Sequence, residues 1–186
     1  MAQREQRNNN QPQEPSPFDE RVIHVDRVAR VVKGGRRFRF RALVVVGDRK
    51  HRIGVGTAKG ADVTAAVSKA SEVAKKNMIL VPVINGTLPH EATAKVGGAN
   101  IMIKPARAGT GLIAGGVVRT LLEVAGVSNV LSKSLGSSNK INVAYATLDA
   151  IRAMTPKKEW ITTINAADTE KNDKKTEKKA AVKESK

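Results

Sequence analysis

Residues Val31 to Gly47 constrain this chain more than any other stretch: V-V-K-G-G-R-R-F-R-F-R-A-L-V-V-V-G. Gly34-Gly35 supplies the positive φ angles that a tight hairpin turn needs, so two strands are predicted on either side of it. After the turn the side chains alternate. Arg37, Arg39 and Arg41 take one face, and Phe38, Phe40 and Ala42 the other. Same-face side chains on a strand stand ~6–7 Å apart, which makes a ladder of guanidiniums with an apolar back. The two phenylalanines are expected in the core.

A charged strand face is ordinarily just a solvated face. Here it carries one sign and includes the turn. The chain holds 33 Lys and Arg against 17 Asp and Glu, a net charge of +16. The natural counterpart is a polyanion, and guanidiniums grip phosphate bidentately. The twelve basic residues between Arg21 and Lys59 face only Asp26 and Asp48, which concentrates the charge there. Aromatics make up 3% of the chain: Phe18, Phe38, Phe40, Tyr145 and Trp160. With both hairpin phenylalanines assigned inward, recognition of backbone and shape is expected, not of splayed bases.

Other classes fall away. The chain has no cysteine, which excludes a disulfide framework and cysteine-ligated metal, and suits a reducing compartment. No apolar run approaches the ~20 residues of a membrane span and no signal peptide is evident, so a soluble intracellular protein is expected. The 186 residues allow one domain or two small ones.

In order, residues 1–17 are polar and read as a disordered arm. Arg21 to Val32 is the strand entering the hairpin, and the second strand runs to Val46. Gly47 to Lys50 turns the chain, and His51 to Val55 makes a third strand. Asp62 is a predicted N-cap for a helix with Val63, Ala66, Val67, Ala70, Val73 and Ala74 on one face. Lys75 and Lys76 sit in its last turn and Asn77 ends it. The first unit is thus β-β-β-α, with the helix on one sheet face and the arginines on the other.

Ile79 to Ile84, Thr87 to Val96 and Ala99 to Lys104 read as strands. A glycine-rich loop from Ala106 to Gly116 leads into a helix through Val117 and Leu121 to a stop at Gly126. Asn129 to Leu135 is a strand, and Asn142 to Met154 a helix closed by Pro156. The tail from Asn165 is charged and has little to bury. The expected layout is an arm over 1–19, units over 20–78 and 79–160, and a tail over 161–186.

Catalytic and metal motifs fail. His24, His51 and His90 are scattered, and His90-Glu91 lacks the second histidine of a zinc-protease motif because position 94 is Ala. Gly54-Val55-Gly56-Thr57-Ala58-Lys59-Gly60 misses the dinucleotide fingerprint by one residue and reads as a strand-to-helix turn, with Lys59 beside a helix N-terminus. Gly109-Thr110-Gly111 to Gly115-Gly116 has no Walker ending. Phosphate binding and close approach of a protein partner both remain open for it. A phosphoryl-transfer enzyme built on that loop would also need an acid to hold magnesium, and none stands near it in sequence.

The run Arg27-Val28-Ala29-Arg30-Val31-Val32-Lys33-Gly34-Gly35-Arg36-Arg37-Phe38-Arg39-Phe40 resembles the signature of the bacterial small-subunit ribosomal protein S-five family. The resemblance continues through Gly54 to Lys59, Asn85-Gly86-Thr87, Lys104-Pro105-Ala106, Gly109-Thr110-Gly111, Ile113 to Gly116, Leu122 to Val127, Val130 to Ser137 and Ala146 to Asp149. It covers roughly residues 20–155. The sequence departs from the family at Arg49-Lys50-His51 (usually glycines), Thr64 and Lys140 (usually prolines) and Tyr145 (usually arginine).

The resemblance implies an α+β protein of two α/β domains. The first is like a double-stranded-RNA-binding fold, and the second is a βαβ-containing domain of the family's C-terminal type. It implies no catalysis and no cofactor, residence in the cytoplasmic small ribosomal subunit, and binding of small-subunit ribosomal RNA. Proteins S-four and S-eight would be neighbours, with messenger RNA close by where it enters the subunit, an influence on decoding accuracy, and no obligate homo-oligomer. The expected RNA-binding residues are Arg27, Arg30, Lys33, Gly34, Gly35, Arg36, Arg37, Arg39, Arg41, Arg49, Lys50, Arg52 and Lys59. Arg107, Gly109, Thr110, Gly111 and Arg119 would lie toward S-four.

Overall fold

The computed structural model describes residues 18–156. The tail expected over 161–186, and all but the last two residues of the arm expected over 1–19, lie outside them. The alternating stretch forms β1 (Asp19–Val32) and β2 (Gly35–Gly47), paired antiparallel with Arg30 opposite Arg37 and Val28 opposite Arg39. β3 (Arg52–Gly60) continues the sheet on the far side of β2, and α1 (Val63–Lys76) follows. Ala66, Ala70 and Ala74 of α1 bury against Ala42, Val44, Val46 and Ala58. The C-cap is Asn77, as expected. Asp62 occupies the N-cap position, but its carboxylate makes no capping bond.

Two expectations for this sheet need correcting. The segment Gly54 to Gly60 is strand and not a turn, because its glycines face the helix. A Cβ on Gly56 would run into the Ala70 carbonyl oxygen and lie 2.6 Å from the Ala74 nitrogen. Alternating glycine in β3 and alanine every four residues in α1 let the two backbones approach closely. The second correction concerns Ile79 to Ile84. Only β4 (Ile79–Leu80) is strand, and it pairs with Arg52 and Ile53, so it completes the first sheet.

The second sheet is built from β5 (Ala92–Val96), β6 (Ala99–Pro105), β7 (Leu112–Ile113) and β8 (Val130–Ser134), in the order β5-β6-β8-β7. β7, α2 (Gly116–Ala125) and β8 make a parallel βαβ unit. α3 (Lys140–Arg152) starts two residues earlier than its periodicity suggests, because the Asn139 side chain accepts from the Ile141 amide at 3.2 Å.

The sheets do not have separate cores. Leu43, Val45, Ile53 and Val55, on the ladder face of the first sheet, bury in one cluster with Ile101, Ile103, Leu121, Leu122, Val124 and Ile151. Hence the ladder face is bare only toward the hairpin tip; its root is covered by the second half of the chain. Arg49 and His51, both at positive φ, donate their amides to the carbonyls of Val124 and Ala125 at the end of α2. Gly126 closes α2 at φ 81°, and a Cβ there would strike the Arg49 carbonyl. Arg21 reaches Glu123 at 2.6 Å, and the hydroxyls of Thr57 and Tyr145 meet at 2.8 Å.

Candidate nucleic-acid interface

The hairpin outruns its support. β2, with 13 residues, is ~44 Å long at strand rise. α1, with 14 residues, is ~21 Å long at helical rise. The helix backs the hairpin only as far as Phe40, which packs against its alanines. Beyond that point both faces of a two-stranded ribbon are open.

On the ladder face, Arg30, Arg37, Arg39 and Lys59 frame a shallow groove of about 270 Å³ floored by Val28 and Val32. Residues 27–41 contain no acid. Among the described residues, no carboxylate lies within ion-pair distance of Arg30, Lys33, Arg36, Arg37, Arg39 or Lys59. At the turn Gly34 has φ 88° and Gly35 φ 153°, and a Cβ on either would meet no atom within 4 Å. Glycine is needed there for backbone angle, not for want of space.

Arg41 differs from its ladder mates. Its Nε and Nη2 both donate to Asp26 Oδ2, at 3.1 and 2.7 Å. Hydrogen bonding from Arg41 holds the Asp26 carboxyl below its ordinary range, against the opposing cost of burial. His24 Nε2 sits 2.8 Å from the other Asp26 oxygen, and Lys140 Nζ lies 3.1 Å from His24 Nδ1. An ammonium only donates, so Nδ1 is the acceptor and Nε2–H points to Asp26. A chain of polar contacts thus runs from the start of α3 to the first covered rung of the ladder. Asp26, His24 and Lys140 were not singled out for this role, and their separation in sequence hides it.

The remaining expected residues lie elsewhere. Arg27 is on the opposite face, its guanidinium carbon 3.8 Å from the centre of the Phe38 ring. Arg49, Lys50 and Arg52 are at the root, ~40 Å from the turn by strand rise. Arg49 is paired with Asp19 at 2.7 Å, while Lys50 and Arg52 are exposed. Phe38 itself corrects the sequence reading: it is 48% exposed and not core, because α1 ends short of it.

In the second half, Gly109 and Gly111, at φ 91° and 75°, both donate their amides to Asn129 Oδ1, at 3.1 and 3.0 Å. Those two amides are engaged inside the molecule, so the Gly109-Thr110-Gly111 turn does not offer them to a phosphate. Arg107, Gly109, Thr110 and Arg119 are exposed and Gly111 half-buried. Gly115 and Gly116 open α2 with no atom near a would-be Cβ.

Among the described residues there is no cluster of three or more His, Asp or Glu that could hold a metal, and no helix long and apolar enough to cross a membrane. Residues 18–82 match the family model for ribosomal protein S5, N-terminal domain, and residues 94–162 that for ribosomal protein S5, C-terminal domain. The small ribosomal subunit protein uS5 of Thermus thermophilus is 53% identical over 140 residues, covering 75% of this chain and 86% of the relative. The proteins of that name from two individual strains of the same organism match equally. With successive models of one family matched along the chain and a relative aligned over most of both lengths, the chain belongs to the ribosomal protein S5 family, non-enzymatic structural proteins of the small ribosomal subunit.

Proposed function

We propose that this protein docks onto small-subunit ribosomal RNA through the distal hairpin. Arg30, Lys33, Arg36, Arg37 and Arg39, with Lys59, neutralise phosphates, and Gly34-Gly35 brings the turn against the RNA backbone. The observation that carries this reading is the acid-free tip, whose cations have no ion-pair partner among the described residues. Arg41 contributes less, since Asp26 already holds it. Arg49, Lys50 and Arg52 belong to a second contact at the root.

Residues 20–78 supply this RNA face and residues 79–160 the protein-facing side. The exposed segment from Arg107 to Arg119 meets protein S-four, and S-eight is a further neighbour. Together they border the path by which messenger RNA enters the subunit and tune decoding accuracy. Support for a protein contact there is the pairing of inward-turned loop amides with open space at Gly115 and Gly116.

Each neutralised phosphate releases counterions, so affinity for RNA falls with salt. Replacing Arg30, Arg37 and Arg39 together by Ala is expected to flatten the log–log salt slope by ~2–3. An unchanged slope in the triple variant defeats the ladder assignment. Loss of co-sedimentation with small subunits on changing Arg107 and Arg119 to Glu checks the protein-facing side.

A further inference from the structure

The ladder explains one face of the ribbon and leaves the other unexplained. That face carries Arg27, Ala29 and Val31 from β1 and Arg36, Phe38 and Phe40 from β2, because Ala29 lies opposite Phe38, Val31 opposite Arg36 and Arg27 opposite Phe40. Past the end of α1, Phe38 is 48% and Val31 76% exposed. The Arg27 guanidinium lies over the Phe38 ring at 3.8 Å. An exposed aromatic stacked with a guanidinium, on an acid-free and strongly cationic ribbon, is a poor surface for water and a good one for a flat, electron-rich ring.

We propose that the Phe38–Arg27 stack seats one unpaired nucleobase of the bound RNA. The inference rests on the RNA-docking reading above and adds the class of contact. A-form helices present a deep, narrow major groove that side chains cannot read, so base recognition in RNA falls on splayed bases stacked on aromatic rings or guanidinium planes. Phe38 and Arg27 provide both planes in one stack. The base extends it, Arg36 on the same face takes a flanking phosphate, and the ladder grips phosphates across the ribbon. The hairpin is then held from two sides, and the RNA it prefers carries a bulge or unpaired nucleotide.

The test uses the purified full chain and two synthetic hairpin RNAs, one fully paired and one with a single-nucleotide bulge of the fluorescent base 2-aminopurine. The wild type is expected to quench the bulged base and to prefer the bulged RNA. Phe38→Leu should abolish the quench and weaken bulged-RNA binding by about 10-fold, within the range of one base–aromatic stack, with the salt slope and paired-RNA affinity unchanged. Phe38→Trp should restore both. Thermal unfolding of each variant checks that the hairpin survives. Equal wild-type affinity for the two RNAs, or a Phe38→Leu loss shared equally by both, overturns the stacking seat while leaving the docking reading intact. Failure of the wild type to bind either RNA overturns both.

Discussion

The root and the tip of one hairpin, made by the same two strands, follow opposite rules. At the root the ladder face carries Leu43 and Val45, buried under α2 and its neighbours, and the other face carries Ala42, Val44 and Val46 under α1. At the tip the ladder face carries Arg37 and Arg39, and the other face a half-exposed Phe38. The pairing runs unbroken from Leu43 to the turn, and its one irregularity, between Val22 and His24, lies on the root side of that span. What changes along β2 is coverage. A strand gains ~3.4 Å per residue and a helix ~1.5 Å, so a helix of equal length leaves half a strand uncovered. The bare half is free to carry charge that a covered half could not.

Substitutions that separate stability from binding test this contrast. The largest effect belongs to Gly56→Ala at the root, where a methyl meets the backbone of α1. Denaturant unfolding should show a loss of ~3 kcal/mol or more; a loss below ~1 kcal/mol would mean that α1 moves away freely. Leu43→Ala, on the ladder face but buried, should cost ~2–5 kcal/mol. Gly34→Ala at the tip has open space, and its φ of 88° is the only source of strain, so ~1 kcal/mol is expected.

The boundary rung comes next. The folded Asp26 carboxyl is held below its unfolded value by Arg41. Its stabilising contribution is therefore complete above the unfolded carboxylate pKa of ~3.9, and is lost as pH falls through the depressed folded value. Asp26→Asn should reduce the acid-side loss of stability, at a cost at neutral pH of no more than ~1 kcal/mol for a pair this exposed. By freeing Arg41 it should also steepen the salt dependence of RNA binding. The smallest stability effect belongs to Arg37→Ala, within ~0.5 kcal/mol, with RNA affinity, measured beside it, expected to fall.

The hairpin and all three helices were legible from sequence because each has a local cause: Gly34-Gly35 for the hairpin, the alanine stripe for α1, the Gly126 stop for α2 and Pro156 after α3. The misplaced features have non-local causes. Phe38 alternates in phase with Phe40, and only the length of α1 separates exposed from buried. β4 has two residues and takes its sheet from pairing with β3. β7 is equally short and is a strand only beside β8. The glycines of β3 look like a loop until the helix is laid across them. Of the candidate interface, the cations could be named in advance; which were already held could not, since Asp26 and Asp19 reach Arg41 and Arg49 across the sheet.

The shared core bears on how the chain is made. When synthesis has passed Asn77, β1 to β3 and α1 have been translated, yet most of the residues that bury Leu43, Val45, Ile53 and Val55 in the finished fold have not. Their cover arrives only with α2 and α3, from the later half of the chain. A nascent chain halted between the two halves would present a sticky apolar sheet and a cationic finger at once, before its neighbours can sequester either. Completion of α3 is the event that makes the first sheet safe, so the order of translation, and not only the final structure, decides when this protein can meet RNA as a finished surface.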